Sequence, residues 1–415
     1  MVRIHCLGGF REVGRNAVLI EGPKNVMLDY GVKVETNSPP KPFNGKVDAL
    51  FITHGHLDHI GLAPVIHRKH KCPVYLTGPA YDLSGLLLRD SLKIAKLKGM
   101  AQKYTPADVI NLHKAEKRIH HGDKISLGKV KVDVWDAGHM PGACMFVVNV
   151  NGKKILYTGD FKLEDTRLVT GARYDIKKID VVMMETTYSS RDHPPREEVE
   201  KNLFKDVKET IGAGGIALLP SFAIRAPELL MVLDHFGADF PIYLDGMAKD
   251  ATAIFMKYPE FLKDPAALKA ATENVIPLYS MEERNNALKE PCAIVTTGGC
   301  IEGGPIVHYI KKLYAQAENS LIFTGFQIPG TAGRYLADTG RFVHGTMDLK
   351  LKMKTVHYDM SAHAGRTELI KFVQKLNPKK VICMHGDYCE KFATELNSRF
   401  DLKAIAPKRG DVIKI

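Results

Sequence analysis

Apolar and polar positions follow two regimes along this chain. Up to about residue 190 the pattern is short apolar runs broken by tight turns. "AVLIEGPKNVMLDYG" is two runs around Gly22-Pro23-Lys24-Asn25, a hairpin signal. "VDALFI" (47–52) reads as a buried strand, and "KVKVDVWDAG" alternates as a half-buried strand does. "MFVVNVNGKKILYTGD" is two strands around Asn151-Gly152, the dipeptide that best fits a two-residue hairpin turn. "IDVVMMETT" (179–187) is a further buried strand. Between these, residues 80–118 are expected to be helical, with Arg89, Lys93 and Lys96 on one face. That face is read as solvated in preference to RNA-contacting.

The second regime begins after residue 190. "PPREEVEKNLFKDVKETIGAGG" is a helix opened by proline and closed by glycines. "IALLPSF", "FPIYLDG", "CAIVTTGG" and "SLIFTGFQ" are short apolar strands separated by helical segments, which predicts a parallel α/β sheet. From about 361 the first regime returns, with a helix in "GRTELIKFVQKL" and a strand in "KKVICMHGD". No internal repeat or low-complexity segment is visible.

Composition narrows the class. A chain of 415 residues, 45% hydrophobic and 25% charged, suits a globular protein of two domains or one domain with a large insertion. No apolar run reaches the ~18 residues of a membrane span, and the N-terminus lacks a signal-peptide layout, so a cytoplasmic protein is expected. Seven cysteines lie scattered with no C-x-x-C pair, which argues against a disulfide framework or a cysteine-zinc site. The net charge of +11 suits a polyanionic partner.

The chemistry concentrates at strand ends. "THGHLDHIG" (53–61) follows one apolar run and holds three histidines and an aspartate within six residues. Asp29, His139, Asp160 and His385 close four other predicted strands. Loops at the carboxyl ends of strands are where such sheets build sites. His54 and His56 can reach one ion, and Asp58 and His59 a second. Imidazole with carboxylate suits zinc ahead of manganese or iron.

These residues carry a resemblance. The H-x-H-x-D-H block with a later G-H and G-D resembles the metallo-β-lactamase fold pattern. "METTYSSRDHPPREEVE" (184–200), "TTGGCIEGGP" (296–305), "TGFQIPGTAGR" (324–334), "SAHAG" (361–365) and "MHG" (384–386) resemble the further blocks of the β-CASP nucleases. The likeness spans nearly the whole chain. It is nearest to the short archaeal homologues of the nuclease subunit of the cleavage and polyadenylation specificity factor, without their KH domains, and next to ribonuclease J. It implies an α/β fold: a metallo-β-lactamase αββα sandwich (1–189 and 361–415) with an inserted parallel α/β β-CASP domain (190–360).

The resemblance also implies roles. His54, His56 and His139 hold a first zinc, and Asp58, His59 and His385 a second, with Asp160 bridging. Asp29 orients a histidine ligand. His363, Glu185 and Asp58 form the catalytic set, with His363 as general acid and Glu185 orienting it. Ser221, Arg225, Gly303, Arg334 and Ser361 are candidate RNA or phosphate contacts. For Gly303 and its neighbours plain turn chemistry fits equally well. The family's S-F-A-x-G-R-A-Q-E reads "SFAIRAPE" (221–228), one glycine short and with Pro227 for glutamine, and Cys300 replaces a methionine. Both departures fall on the expected RNA path.

The implied activity is hydrolysis of single-stranded RNA to 5′-phosphate and 3′-hydroxyl ends, endonucleolytic with 5′-to-3′ exonuclease action. A ribonuclease J-like exonuclease is the alternative. A homodimer or an RNA-processing complex is the candidate assembly. A small-ester or thioester hydrolase is opposed by the large insert and the positive charge, and a dead scaffold by the full ligand set. DNA-directed relatives tend to carry valine in the last block, where this chain has His385.

Overall fold

The computed structural model describes residues 2–415. They divide into two compact units: residues 2–165 with Val169–Asp192 and Ala362–Ile415, and Thr166–Leu168 with His193–Ser361. The expected limits stood at 189/190 and 360/361. The short segment Thr166–Leu168 belongs with the second unit for a local reason. Arg167 donates to Glu200 at 2.6 Å, and the Leu168 carbonyl accepts from the Lys263 N–H at 3.0 Å.

The first unit contains two seven-stranded sheets. One runs Val412–Lys414, Arg3–Gly8, Ala17–Glu21, Val26–Leu28, Ala49–Phe51, Val74–Leu76, Glu116–Arg118 in spatial order. The other runs Ala404–Ile405, Lys380–Met384, Val181–Glu185, Lys153–Tyr157, Cys144–Val150, Val130–Asp136, Lys124–Leu127. Their facing side chains, among them Ile4, Val18, Phe51, Val132, Phe146 and Ile382, make one buried core. Leu19, Leu50, Leu76, Leu88 and Leu112 make a second beneath the helices. Strands buried on both faces explain the continuous apolar runs. Asn151 and Gly152 turn the hairpin Cys144–Val150 to Lys153–Tyr157 with φ of +50° and +74°, the pair of left-handed conformations a type I′ turn needs.

The stretch expected to be helical over 80–118 is two helices and a closing strand: Gly78–Leu97, Pro106–Lys114 and Glu116–Arg118. The break falls where Gly99 takes φ +63° and where Thr105 and Asp108 form a capping box ahead of Pro106. Arg89, Lys93 and Lys96 are exposed.

The second unit is built on a six-stranded, wholly parallel sheet in the order Val275–Leu278, Ile242–Asp245, Cys292–Thr297, Ile216–Ser221, Ser320–Phe323, Lys354–His357. The two sequence departures fit it. Pro227 sits in the first turn of helix Ala226–His235, where its missing N–H costs nothing. Cys300 is buried, and its carbonyl accepts from the Gly333 N–H at 2.8 Å. No helix among the described residues is long and apolar enough to cross a membrane.

Candidate metal centre

Asp29 organises the first unit's strand ends. The chain leaves strand Val26–Leu28 with Asp29 at φ +57° and its carboxylate wholly buried. That carboxylate accepts from the Thr53 N–H and hydroxyl, both at 2.8 Å, and from the Tyr157 hydroxyl at 2.9 Å. It also accepts from His59 Nδ1 at 2.7 Å. The loop bearing His54 and His56 is thus tied to its neighbour strand, and the short helix Leu57–Ile60 then presents Asp58 and His59. Gly31 lets the two loops close up, since a Cβ there would lie 1.7 Å from the Asp58 carbonyl oxygen.

Each ring nitrogen that is tied down leaves its partner facing inward. His54 Nδ1 is 3.0 Å from Thr53 Oγ1, whose own proton goes to Asp29, so His54 Nε2 points the other way. His139 Nδ1 donates to the Ala362 carbonyl at 2.9 Å and turns its Nε2 to within 3.4 Å of His56 Nδ1. His54 Nε2 lies 2.8 Å from that same His56 nitrogen. Three imidazole nitrogens therefore converge, with Asp160 Oδ2 3.6 Å from His54 Nε2. On its other side Asp160 meets His59 Nε2 at 3.2 Å and His385 Nε2 at 3.4 Å, and Asp58 lies 3.6 Å from both rings.

Two ligand-type groups, His54–His56–His139–Asp160 and Asp58–His59–Asp160–His385, share Asp160, which also forms a third, smaller group with Glu185 and His363. In each, the ligand atoms lie within 4.8 Å of one another. Asp160 Oδ1 is buried with no hydrogen bond, an unmet demand for a cation in a site without a lysine or arginine ligand. Nitrogen with carboxylate oxygen is the donor set of zinc and its borderline neighbours. Burial holds the His54 imidazole well below its usual value, and His59 and His56 beside it add to this. Burial and His139 push His56 down to about 3. Both rings therefore keep free lone pairs at neutral pH. Burial alone would raise Asp160, but His59, His385 and His363 hold it well below the carboxylate range.

His363 stands apart from both groups. Its Nδ1 is 3.0 Å from each oxygen of Glu185, and its Nε2 is 4.0 Å from Asp160 Oδ2. Glu185 ends strand Val181–Glu185 and also accepts from the Phe161 N–H at 3.0 Å. Burial lowers the His363 pKa, but Glu185 ahead of Asp160 more than offsets this and raises it to about 9. This shift favours the protonated ring, with one N–H on the nitrogen that faces Asp160.

The second-unit candidates scatter. Ser221 is buried and its hydroxyl donates to the Phe222 carbonyl at 3.1 Å. Arg225 pairs with Glu228 and donates to the Met360 carbonyl at 2.7 Å. Both side chains thus have partners within their own unit. Arg334 is half exposed and pairs with Asp338 at 2.8 Å. The Ser361 N–H donates to Asp359 at 3.2 Å. Gly303 has open space on its Cβ side. Sequence reading missed Asn16, Thr53, Tyr157 and Lys162. Lys162 is buried and its ammonium reaches the His363 carbonyl at 3.5 Å and Glu368 at 3.4 Å. None of the four has a spacing signal. A buried polar residue close to a ligand block was the only available hint.

Comparison with known proteins gives the family. Residues 11–190 match the metallo-beta-lactamase superfamily, 226–336 the Beta-Casp domain and 348–407 the Zn-dependent metallo-hydrolase RNA specificity domain. The chain is 37% identical to "Probable RNase MJ4" of Methanocaldococcus jannaschii, over 98% of this chain and 99% of that one. It is 33% identical to "RNase aCSPSF2" of Saccharolobus solfataricus, over 99% and 85%. It is 35% identical to "Transcription termination factor FttA" of Pyrococcus abyssi, over 100% and 71%. A protein of unknown function from Enterococcus faecalis shares the fold, with TM-score 0.65 over 99% of each chain at 16% identity. With its strand-end histidines gathered on one shared aspartate and its parallel-sheet insert, this chain belongs to the β-CASP family of metallo-β-lactamase-fold proteins.

Proposed function

We propose that this chain is a two-zinc ribonuclease that cuts single-stranded RNA to leave 5′-phosphate and 3′-hydroxyl ends. The observation that carries it is Asp160, shared by two histidine-rich ligand groups with the His363 imidazole 4.0 Å away. His54, His56, His139 and Asp160 would hold one ion, and Asp58, His59, His385 and Asp160 the other. Bound there, a pair of divalent ions supplies charge neutralisation for the scissile phosphate and an activated water. The chain's own residues do the rest. Glu185 grips Nδ1 of His363 and keeps a proton on its Nε2. His363 donates that proton to the departing ribose 3′ oxygen, a step of general acid catalysis typically worth ~10²–10⁴-fold. Asp29 holds His59 in the ring orientation a ligand needs.

RNA as substrate is supported by the names of the relatives and by the matched RNA specificity domain. Endonucleolytic cutting with 5′-to-3′ exonuclease action is the favoured reading. An exonuclease of the ribonuclease J type is the second, supported by 32% identity to "RNase J-like protein" of M. jannaschii. We place the protein in the cytoplasm, as a homodimer or within an RNA-processing complex. The test is purified protein with RNA labelled at either end and carrying a 5′ hydroxyl, monophosphate or triphosphate, together with elemental analysis. Internal fragments with 5′-phosphates and two zinc per chain are expected. Cleavage of DNA as fast as RNA, or fewer than two metals under non-chelating conditions, would overturn the reading.

A further inference from the structure

Asn16 is fully buried and lies just ahead of strand Ala17–Glu21, and no ligand motif contains it. Its backbone is fixed on both sides. Its N–H donates to the Asp58 carbonyl at 2.7 Å, and its carbonyl accepts from the Gly31 N–H at 2.9 Å. Its side chain faces the second ligand group. Nδ2 lies 2.9 Å from His385 Nδ1 and 3.0 Å from His59 Nε2 and donates to the Asp58 carbonyl at 3.3 Å, while Oδ1 is buried with no partner. Gly9 makes room for it, since a Cβ there would sit 2.3 Å from that oxygen.

Hydrogen-bond chemistry makes this contact informative. His385 turns Nε2 to Asp160 and Asp58, at 3.4 and 3.6 Å. A cation held by this group takes the Nε2 lone pair, which obliges the ring's proton onto Nδ1. That N–H needs an acceptor. Nδ1 has two polar neighbours: the Gly14 N–H at 3.3 Å, which can only donate, and the Asn16 amide. An Asn amide has nearly the same shape either way round, so bonding decides which end faces the ring. With nitrogen inward, Asn16 donates to Nδ1 and suits a ring whose Nε2 carries the proton, the empty state. With oxygen inward, it accepts from Nδ1–H and suits a ring whose Nε2 binds metal.

Resting on the two-metal reading above, we infer that Asn16 is a positioning residue for the second ion, its amide turning over to fix the metal-binding tautomer of His385. The experiment is chelator competition with elemental analysis on full-length wild type, Asn16→Leu and Asn16→Asp, alongside the melting temperature of each metal-free protein. Wild type should retain two metals. Asn16→Leu keeps the shape without an acceptor and should hold one metal as before and the other about 10- to 100-fold more weakly. Asn16→Asp, always an acceptor, should retain both. Metal-free melting temperatures should agree, which a purely structural role would not give. A second metal held by Asn16→Leu as tightly as by wild type overturns the inference, and so does its loss from Asn16→Asp. Should Asn16→Leu not fold, retention or loss in Asn16→Asp decides. A wild-type chain with fewer than two metals sinks the two-metal reading itself, and this inference with it.

Discussion

Each unit buries a cluster of charges, and the two clusters differ in what they leave unmet. In the second unit three guanidiniums meet two carboxylates. Glu200 accepts from Arg167 at 2.6 Å and from Arg196 at 3.0 Å. Glu228 accepts from Arg196 at 2.5 Å and pairs with Arg225. The spare N–H groups of Arg196 and Arg225 go to the carbonyls of Ser361 and Met360. Each carboxylate has guanidinium groups within ion-pair reach, so the cluster pins its own chain. In the first unit His54 Nε2 and His56 Nδ1 turn toward each other at 2.8 Å beside Asp160, whose Oδ1 has no hydrogen bond. Burial of charge is therefore a poor sign of a site. Unmatched lone pairs that converge are a better one.

The sharpest break in this contrast should come from truncating each cluster's central acid. Asp160→Ala is expected to lose both metals and bring RNA hydrolysis below detection, read by elemental analysis and end-labelled RNA. Two metals retained by Asp160→Ala would dissolve the distinction between the clusters.

His363→Ala comes next. It should keep both metals and lose roughly 10²–10⁴-fold in turnover. A substrate with a 3′-bridging thiolate leaving group, which needs no proton, should recover most of the loss, and failure to do so removes His363 as the acid. Stability carries a matching signature. The folded-state pKa of His363 is raised to about 9, so its contribution is complete below the ordinary value near 6.5 and is lost as pH climbs through about 9. Urea unfolding of chelated protein from pH 6 to 10 should lose on the order of 3 kcal/mol from this group. Glu185→Gln removes the main partner, so the loss should shift to lower pH. Superimposable profiles would mean that Glu185 does not hold the proton.

Glu228→Ala should act on stability alone. It strands Arg196 and Arg225 without their partner, and breaking a buried pair from one side costs about 3–5 kcal/mol. Urea denaturation reads the cost, and metal content should stay unchanged. Loss of metal from this variant would show that the second cluster serves the first.

Phe222→Ala should give the smallest effect. Its ring is 38% exposed and lies against Gly299 and Gly325, whose missing side chains leave room for it. Phe222 follows strand Ile216–Ser221, at the carboxyl end of a parallel sheet where ligands gather. If it stacks an RNA base, its loss should weaken single-stranded RNA binding by roughly 5- to 100-fold, with metal content and hydrolysis of a small phosphodiester untouched. Unchanged RNA affinity removes Phe222 from the path.

The sequence by itself determined the parallel sheet of the second unit, the hairpin at Asn151-Gly152 and the ligand-type residues that converge in the first unit. Each of these is a local matter. Strand period and turn residues act over a few positions, and His54, His56, Asp58 and His59 share one loop and one short helix. Tertiary structure decided which nitrogen each ring presents, because the atoms that fix it come from distant positions: Asp29 for His59, Ala362 for His139, and Asn16 for His385. It also set the immediate partner of Arg225: Glu228, one turn along the same chain, pairs with its buried guanidinium. Residue type and spacing set what a side chain is able to bind. The fold sets which partners reach it and at what cost of desolvation.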